Sequence, residues 1–220
     1  MLAVAGIGRA TADALPGGRA LTLHLQGCPW RCVHCPDPRW RPPRGVAGVP
    51  WEAVRALLQR RRGRLDGVAF AGGEPTAQAA LGEAVEEARA LGYRVALHTA
   101  GIHPERLRPL LPRLDWVALE VKAPWRRYDA VTGVRGSGHR AAAALCALLA
   151  GSAPLECRTA WHPALFPPDE LYRLADDLAA LGVRRWTLRA CRAGGRPLPG
   201  WRTPDLARLR ASFAAFAFRR

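Results

Sequence analysis

No stretch of about 18 apolar residues runs uninterrupted in this 220-residue chain, which argues against an ordinary membrane-spanning helix. The opening MLAVAGIGRA lacks the basic start and long apolar run of a secretory signal, so a soluble protein of the cytoplasm is expected. No Ser-rich linker or low-complexity segment divides the chain. With domains usually about 100 to 200 residues long, residues 1–220 are expected to form one domain. Lysine is nearly absent: of 33 basic residues only Lys122 is not an arginine. Where arginine serves almost everywhere, the lone lysine marks a spot that a planar guanidinium fork would not fit. There is also no second cysteine cluster. Cys146, Cys157 and Cys191 are scattered and read as ordinary buried thiols.

What the chain has in excess is positive charge, formally +15. Phosphate binding needs such charge, but the arginines are spread along the whole chain. The densest run, QRRRGR at 59–64, ends an expected helix, where cations suit the negative end of the dipole. This distribution speaks for a solvated basic surface or an acidic protein partner over a dedicated nucleic-acid site.

Strand and helix patterns alternate. Strands are expected near 20–26, 67–71, 94–98, 116–122, 155–160 and 185–189. Between them lie helical patterns such as 81–92, where Leu81, Ala84, Val85, Ala88 and Leu91 share a face and Gly92 stops the helix. A second, 167–182, gathers Leu171, Leu174, Leu178 and Leu181. Further helices are expected at 50–62, 104–112, 138–150 and 203–217. The alternation implies a parallel sheet covered by helices. Five of its strands carry polar residues on one side: Leu21, Leu23 and Leu25 oppose Thr22, His24 and Gln26, and Val117, Leu119 and Val121 oppose Ala118, Glu120 and Lys122. A doubly wound sheet buries both faces. The expected fold is therefore α/β, a partial (β/α)6 TIM-like barrel, open, with parallel strands, outer helices and a polar lumen.

The first strand runs straight into GCPWRCVHC, which places Cys28, Cys32 and Cys35 at the carboxyl rim, where barrels build active sites. In a reducing compartment, close cysteines hold metal or do redox chemistry. Three thiolates can hold three irons of a [4Fe-4S] cluster and leave the fourth iron open. Zinc, with His34 or Asp37 as fourth ligand, is the alternative, although His34 adjoins Cys35 and is awkwardly placed to share one ion with it.

The Cys-x3-Cys-x2-Cys spacing, with His34 in the aromatic position before the last cysteine, resembles the signature of the radical S-adenosylmethionine (SAM) superfamily. FAGGEPT after the second strand resembles that superfamily's Gly-Gly-Glu-Pro motif. LPGGRA, VKAPWRRYDAVTG and ECRTAWHPAL are similar to the short activating proteins of anaerobic ribonucleoside-triphosphate reductase. The likeness implies a cluster on Cys28, Cys32 and Cys35, with SAM chelated at the open iron. Gly72, Gly73 and Glu74 would hold the SAM ammonium, Glu120 and Lys122 the ribose or carboxylate, and Arg158 the carboxylate. His34 would lie near the adenine. A reduced flavodoxin- or ferredoxin-type donor would supply the electron that cleaves SAM, and a glycine of the partner, an anaerobic ribonucleotide reductase, would lose a hydrogen atom. No acid or base side chain is required. The chain departs from that pattern at His98-Thr99-Ala100-Gly101, at Glu120-Val121-Lys122 and at Pro36-Asp37-Pro38, and the first two departures put an accessory cation site in question. Two other readings stand beside this one: a radical SAM enzyme of the deazapurine-forming type acting on a small molecule, and a non-catalytic iron–sulfur or zinc protein. Glu120 and Lys122 can equally be a structural ion pair.

Overall fold

The computed structural model describes every residue except 44–47 and 194–195. Its strands are β1 (Val4–Thr11), β2 (Ala20–Leu25), β3 (Gly67–Gly72), β4 (Arg94–Thr99), β5 (Trp116–Glu120), β6 (Leu155–Trp161), β7 (Arg185–Ala190), a small hairpin β8 (Arg192–Ala193) and β9 (Arg196–Pro197), and β10 (Ala215–Arg219). The helices are α1 (Trp51–Arg60), α2 (Leu81–Ala90), α3 (Pro104–Leu107), α4 (Tyr128–Thr132), α5 (Ser137–Ala150), α6 (Pro168–Ala180) and α7 (Leu206–Ala211). None of them is long and apolar enough to cross a membrane.

The main sheet has the order β1-β2-β3-β4-β5-β6-β7-β10 and does not close. Strands β2 to β7 pair in parallel in sequence order, the six expected staves of an open barrel. The sheet is wider than six strands. β1 adds to β2 antiparallel, and β10 adds to β7 in parallel. The expected helix 203–217 is thus cut short after Ala211, because Phe216 and Phe218 alternate with alanines and pack their rings against Trp186 and Trp201. The helix expected at 104–112 also divides, into α3 and a 3-10 turn at Arg108–Arg113. Pro109 and Pro112 have no N–H to give to an α-helix.

The outward side chains Leu23, Phe70, Leu97, Val117, Leu119 and Leu188 are essentially inaccessible and meet the apolar stripes of the helices, among them Leu58, Val85, Leu145 and Leu174. Full burial of one such side chain contributes about 1.5 to 3 kcal/mol. The inward side chains divide by height. At the amino end of the lumen Ala14, Leu15, Ala20, Ala69, Ala96 and Trp116 form a separate apolar cluster. The guanidinium of Arg185 caps it, 5.9 Å above the Trp116 ring. The lumen is therefore hollow only toward its carboxyl end.

Candidate active site

A cavity of about 350 Å³ occupies that end. The cysteine loop that borders it is fixed by backbone and side-chain contacts together. Gly27 and Cys28 donate their N–H groups to the carbonyls of Trp40 and Arg41 at 2.7 and 2.9 Å. Arg31 and Val33 donate to Thr132 and Val131, at the end of α4, at 2.7 and 3.0 Å. Trp30 is buried edge-on against Tyr128, and the Tyr128 hydroxyl accepts the N–H of Lys122 at 3.0 Å, so the loop is keyed to the end of β5. Gln26, the last residue of the first strand pattern, donates from Nε2 to the carbonyls of Arg39 and Pro42, which pins the returning segment.

Cys28, Cys32 and Cys35 all line the cavity. Burial pushes the Cys28 thiol up to about 12 and raises Cys32 as well. A bound metal reverses such a cost, because it takes the thiolate as ligand. Three cysteine thiols lining one cavity are the donor set that a [4Fe-4S] cluster takes on three of its irons.

The two glycines of the second motif are dictated by close packing. Gly72 has φ +104°, and a Cβ there would lie 2.3 Å from the Leu25 nitrogen; one on Gly73 would lie 2.3 Å from the Gly27 carbonyl oxygen. Without side chains they let this strand end rest on the cysteine loop and still border the cavity. The amides of Gly73 and Glu74 are used, donating to the carbonyls of Leu25 and Gly27, both at 2.8 Å. Glu74 itself is fully buried. Its carboxylate accepts from the Thr76 amide and hydroxyl, the Thr99 hydroxyl and the Ala100 amide, tying the loop after β3 to the loop after β4. It is not among the side chains that reach the cavity, because four protein donors already satisfy it.

Glu120 and Lys122 do face the cavity. The carboxylate pairs with Arg189 and, at 3.6 Å, with Lys122. Burial opposes its charge, but Arg189, Lys122 and Arg158 outweigh that and hold the carboxyl at about 2. Lys122 is raised: burial acts against its charge, and Glu120 together with Cys32 and Cys28 outweighs it. Arg158 lies lower and is buried. It pairs with Glu156 at 2.6 Å and donates to the Asp13 carbonyl at 3.1 Å, so it spans the lumen beneath the cavity without lining it.

His34 lines the cavity with both ring nitrogens buried and unpartnered, and burial depresses it to about 3. Two histidines that the pattern of motifs passed over are there too. His98 donates from Nε2 to the Ala14 carbonyl at 2.9 Å and is held near 4 by burial; His24 stacks on Trp40 with ring centroids 4.5 Å apart. Their place on the polar side of β2 and β4 was the signal. Arg189, on the polar side of β7, carried the same signal. Of the remaining cysteines, Cys157 and Cys191 are buried as expected, the latter bordering the cavity, whereas Cys146, expected to be buried, is exposed on α5.

A family model of the radical SAM superfamily matches residues 22–153. A candidate glycyl-radical enzyme activating enzyme of Methanocaldococcus jannaschii is 23% identical over 192 residues, 78% of this chain and 73% of that protein. The 7-carboxy-7-deazaguanine synthase of Methanopyrus kandleri is 32% identical over 123 residues, covering 46% of this chain and 48% of that one. Among solved structures, Streptococcus suis SuiB bound to precursor peptide SuiA superimposes on 87% of this chain with a TM-score of 0.68 at 12% identity. The chain spans 46% of SuiB.

Proposed function

Because the chain belongs to the radical SAM superfamily, whose enzymes use a [4Fe-4S] cluster and SAM, we propose that it is an activase that generates a glycyl radical on a partner protein, an anaerobic ribonucleoside-triphosphate reductase. The observation that carries this reading is the likeness to the candidate activase over most of both chains. The cavity, about 350 Å³, stands at the carboxyl rim, where a loop of the partner would reach it.

The bound cluster and SAM together supply one-electron cleavage of a carbon–sulfur bond and removal of a hydrogen atom from substrate. The chain's residues hold and shield. Cys28, Cys32 and Cys35 ligate three irons. Lys122, kept charged by Glu120, meets the SAM carboxylate. His34 and His98, both neutral at pH 7, offer hydrogen bonds without adding charge. Trp30 and Trp40 contribute apolar wall that excludes water.

A second reading is favoured by the 32% identity to a deazaguanine synthase, namely a small-molecule substrate. The two separate in one experiment. Reduced, reconstituted protein is given SAM and the co-encoded reductase grown on α-deuterated glycine, and 5′-deoxyadenosine is analysed by mass spectrometry. The activase reading expects deuterium in that product. Unlabelled product, with turnover stimulated instead by a small metabolite, would favour the second reading.

A further inference from the structure

Strand β10 adds more than width. It pairs with β7 in a register that sets Arg219 directly beside Arg189, both on the side that faces the lumen and both lining the cavity. Like charges at directly opposed positions of a sheet repel. The placement is therefore costly unless an anion joins them. In the free chain each guanidinium borrows a carboxylate from elsewhere. Arg189 uses Glu120, across the lumen, and Arg219 uses Asp13, from the turn after β1, at 2.6 Å. The second loan is loose, for the Asp13 side chain is 70% exposed and that of Arg219 is 44% exposed. Exposed pairs of this kind exchange readily. Arg189 also keeps a buried Nε with no partner. These two arginines stand on β7 and β10, the last two strands of the sheet.

We infer that Arg189 and Arg219 form a carboxylate-binding subsite at the mouth of the cavity, separate from Lys122, and that it holds an acidic group on the partner's glycine-bearing segment. The inference rests on the activase reading. The carboxylate takes the place of Asp13 on Arg219 and bridges to Arg189. It thereby sets the depth at which the glycine enters the cavity. Planar guanidinium groups suit this work because each can offer two parallel N–H groups to one carboxylate.

Binding is measured by calorimetry on the anaerobically reconstituted protein with SAM present. The probes are two glycine-containing peptides that differ only in an Asp or Asn beside the glycine, and succinate as a free dicarboxylate. The Asp peptide is expected to bind more tightly than the Asn peptide. Arg219→Ala should weaken the Asp peptide roughly ten- to hundred-fold, the scale of a charge-assisted hydrogen bond. It should leave the Asn peptide and SAM affinities as they were, and Arg219→Lys should recover part of the loss. Equal binding of the two peptides, or a loss of SAM affinity in Arg219→Ala, would overturn the inference. If neither peptide binds but succinate does, in an Arg219-dependent way, the subsite stands and the protein partner falls. If succinate fails as well, the subsite falls with it.

Discussion

At the amino end of the lumen Ala14, Leu15, Ala20, Ala69, Ala96 and Trp116 close on one another with no charged side chain among them. One or two side-chain repeats further along β2, β4 and β5, His24, His98 and Glu120 turn toward an open cavity, joined by Arg189 from β7. Both sets obey the same alternation, so strand geometry alone does not distinguish them. What differs is the company each end keeps. The amino end is filled by the chain's own 12–15 segment, which supplies Ala14 and Leu15 from within the lumen. The carboxyl end is bordered by loops whose backbone amides and carbonyls are spent on each other, leaving the lumen side chains to face a ligand. One barrel thus uses its lower layer for stability and its upper layer for chemistry.

The sharpest way to break this comparison is to remove a rim thiol. Cys28→Ala, Cys32→Ala or Cys35→Ala should each abolish cluster assembly and SAM cleavage while far-ultraviolet circular dichroism stays unchanged. Cys146→Ala, at an exposed thiol, should retain about four irons per chain by colorimetric assay. Stoichiometric zinc without sulfide in the unaltered protein would reject the cluster. Next in size is Trp116→Ala in the lower layer, expected to cost about 3 to 5 kcal/mol in urea unfolding, with SAM affinity of the folded protein preserved. Because the indole nitrogen of Trp116 is buried without a partner, Trp116→Phe should cost far less. A loss of SAM binding in either variant would show the two layers to be coupled.

In the upper layer Lys122→Ala should weaken SAM binding by about 1 to 3 kcal/mol, by equilibrium titration. Unchanged affinity in a folded variant would make the pair with Glu120 purely structural. The smallest effect concerns pH. Glu120 is held at about 2 in the fold, below the roughly 4.3 of an unperturbed glutamate. The unfolded chain therefore takes up this proton first as pH falls. The stabilisation is complete above about pH 4.3 and is lost progressively toward pH 2. The contribution is roughly 1 to 2 kcal/mol after partial screening. Glu120→Gln should flatten stability across that window; an unaltered slope would assign the acid sensitivity to other carboxylates.

The six parallel staves were legible because five of them alternate apolar and polar residues between clear helical stripes, and the sixth, GVAFAG, is a short apolar run bounded by glycines. β1 was not, since VAGIGRAT contains two glycines and little apolar contrast. β10 carried a usable signal in AFAFR, but its alanines extended the apparent helix from 203, and only the aromatic packing on Trp186 and Trp201 settles the choice. The cysteines could be placed from spacing and position alone. Glu74 could not, because its four donors come from Thr76, Thr99 and Ala100, and the bond to the β4 loop depends on contacts between separate turns. Arg158 illustrates the same limit: its parity was right, but its height in the lumen and its partner Glu156 follow from packing. His24, His98 and Arg189 are visible on the polar faces, but a histidine there is more often satisfied by a hydrogen bond than used as a ligand, so parity alone does not assign them to the site.

The central claim is the chemistry at the upper layer, and electron paramagnetic resonance tests it most directly. Reduced, cluster-loaded protein is mixed with SAM and the co-encoded reductase without oxygen, and the spectrum is followed with time. The account predicts a glycyl radical whose splitting by the remaining α-hydrogen collapses on α-deuteration, and whose formation requires Cys28, Cys32 and Cys35. Normal cleavage of SAM with no glycyl signal on any co-encoded glycyl-radical protein would contradict it.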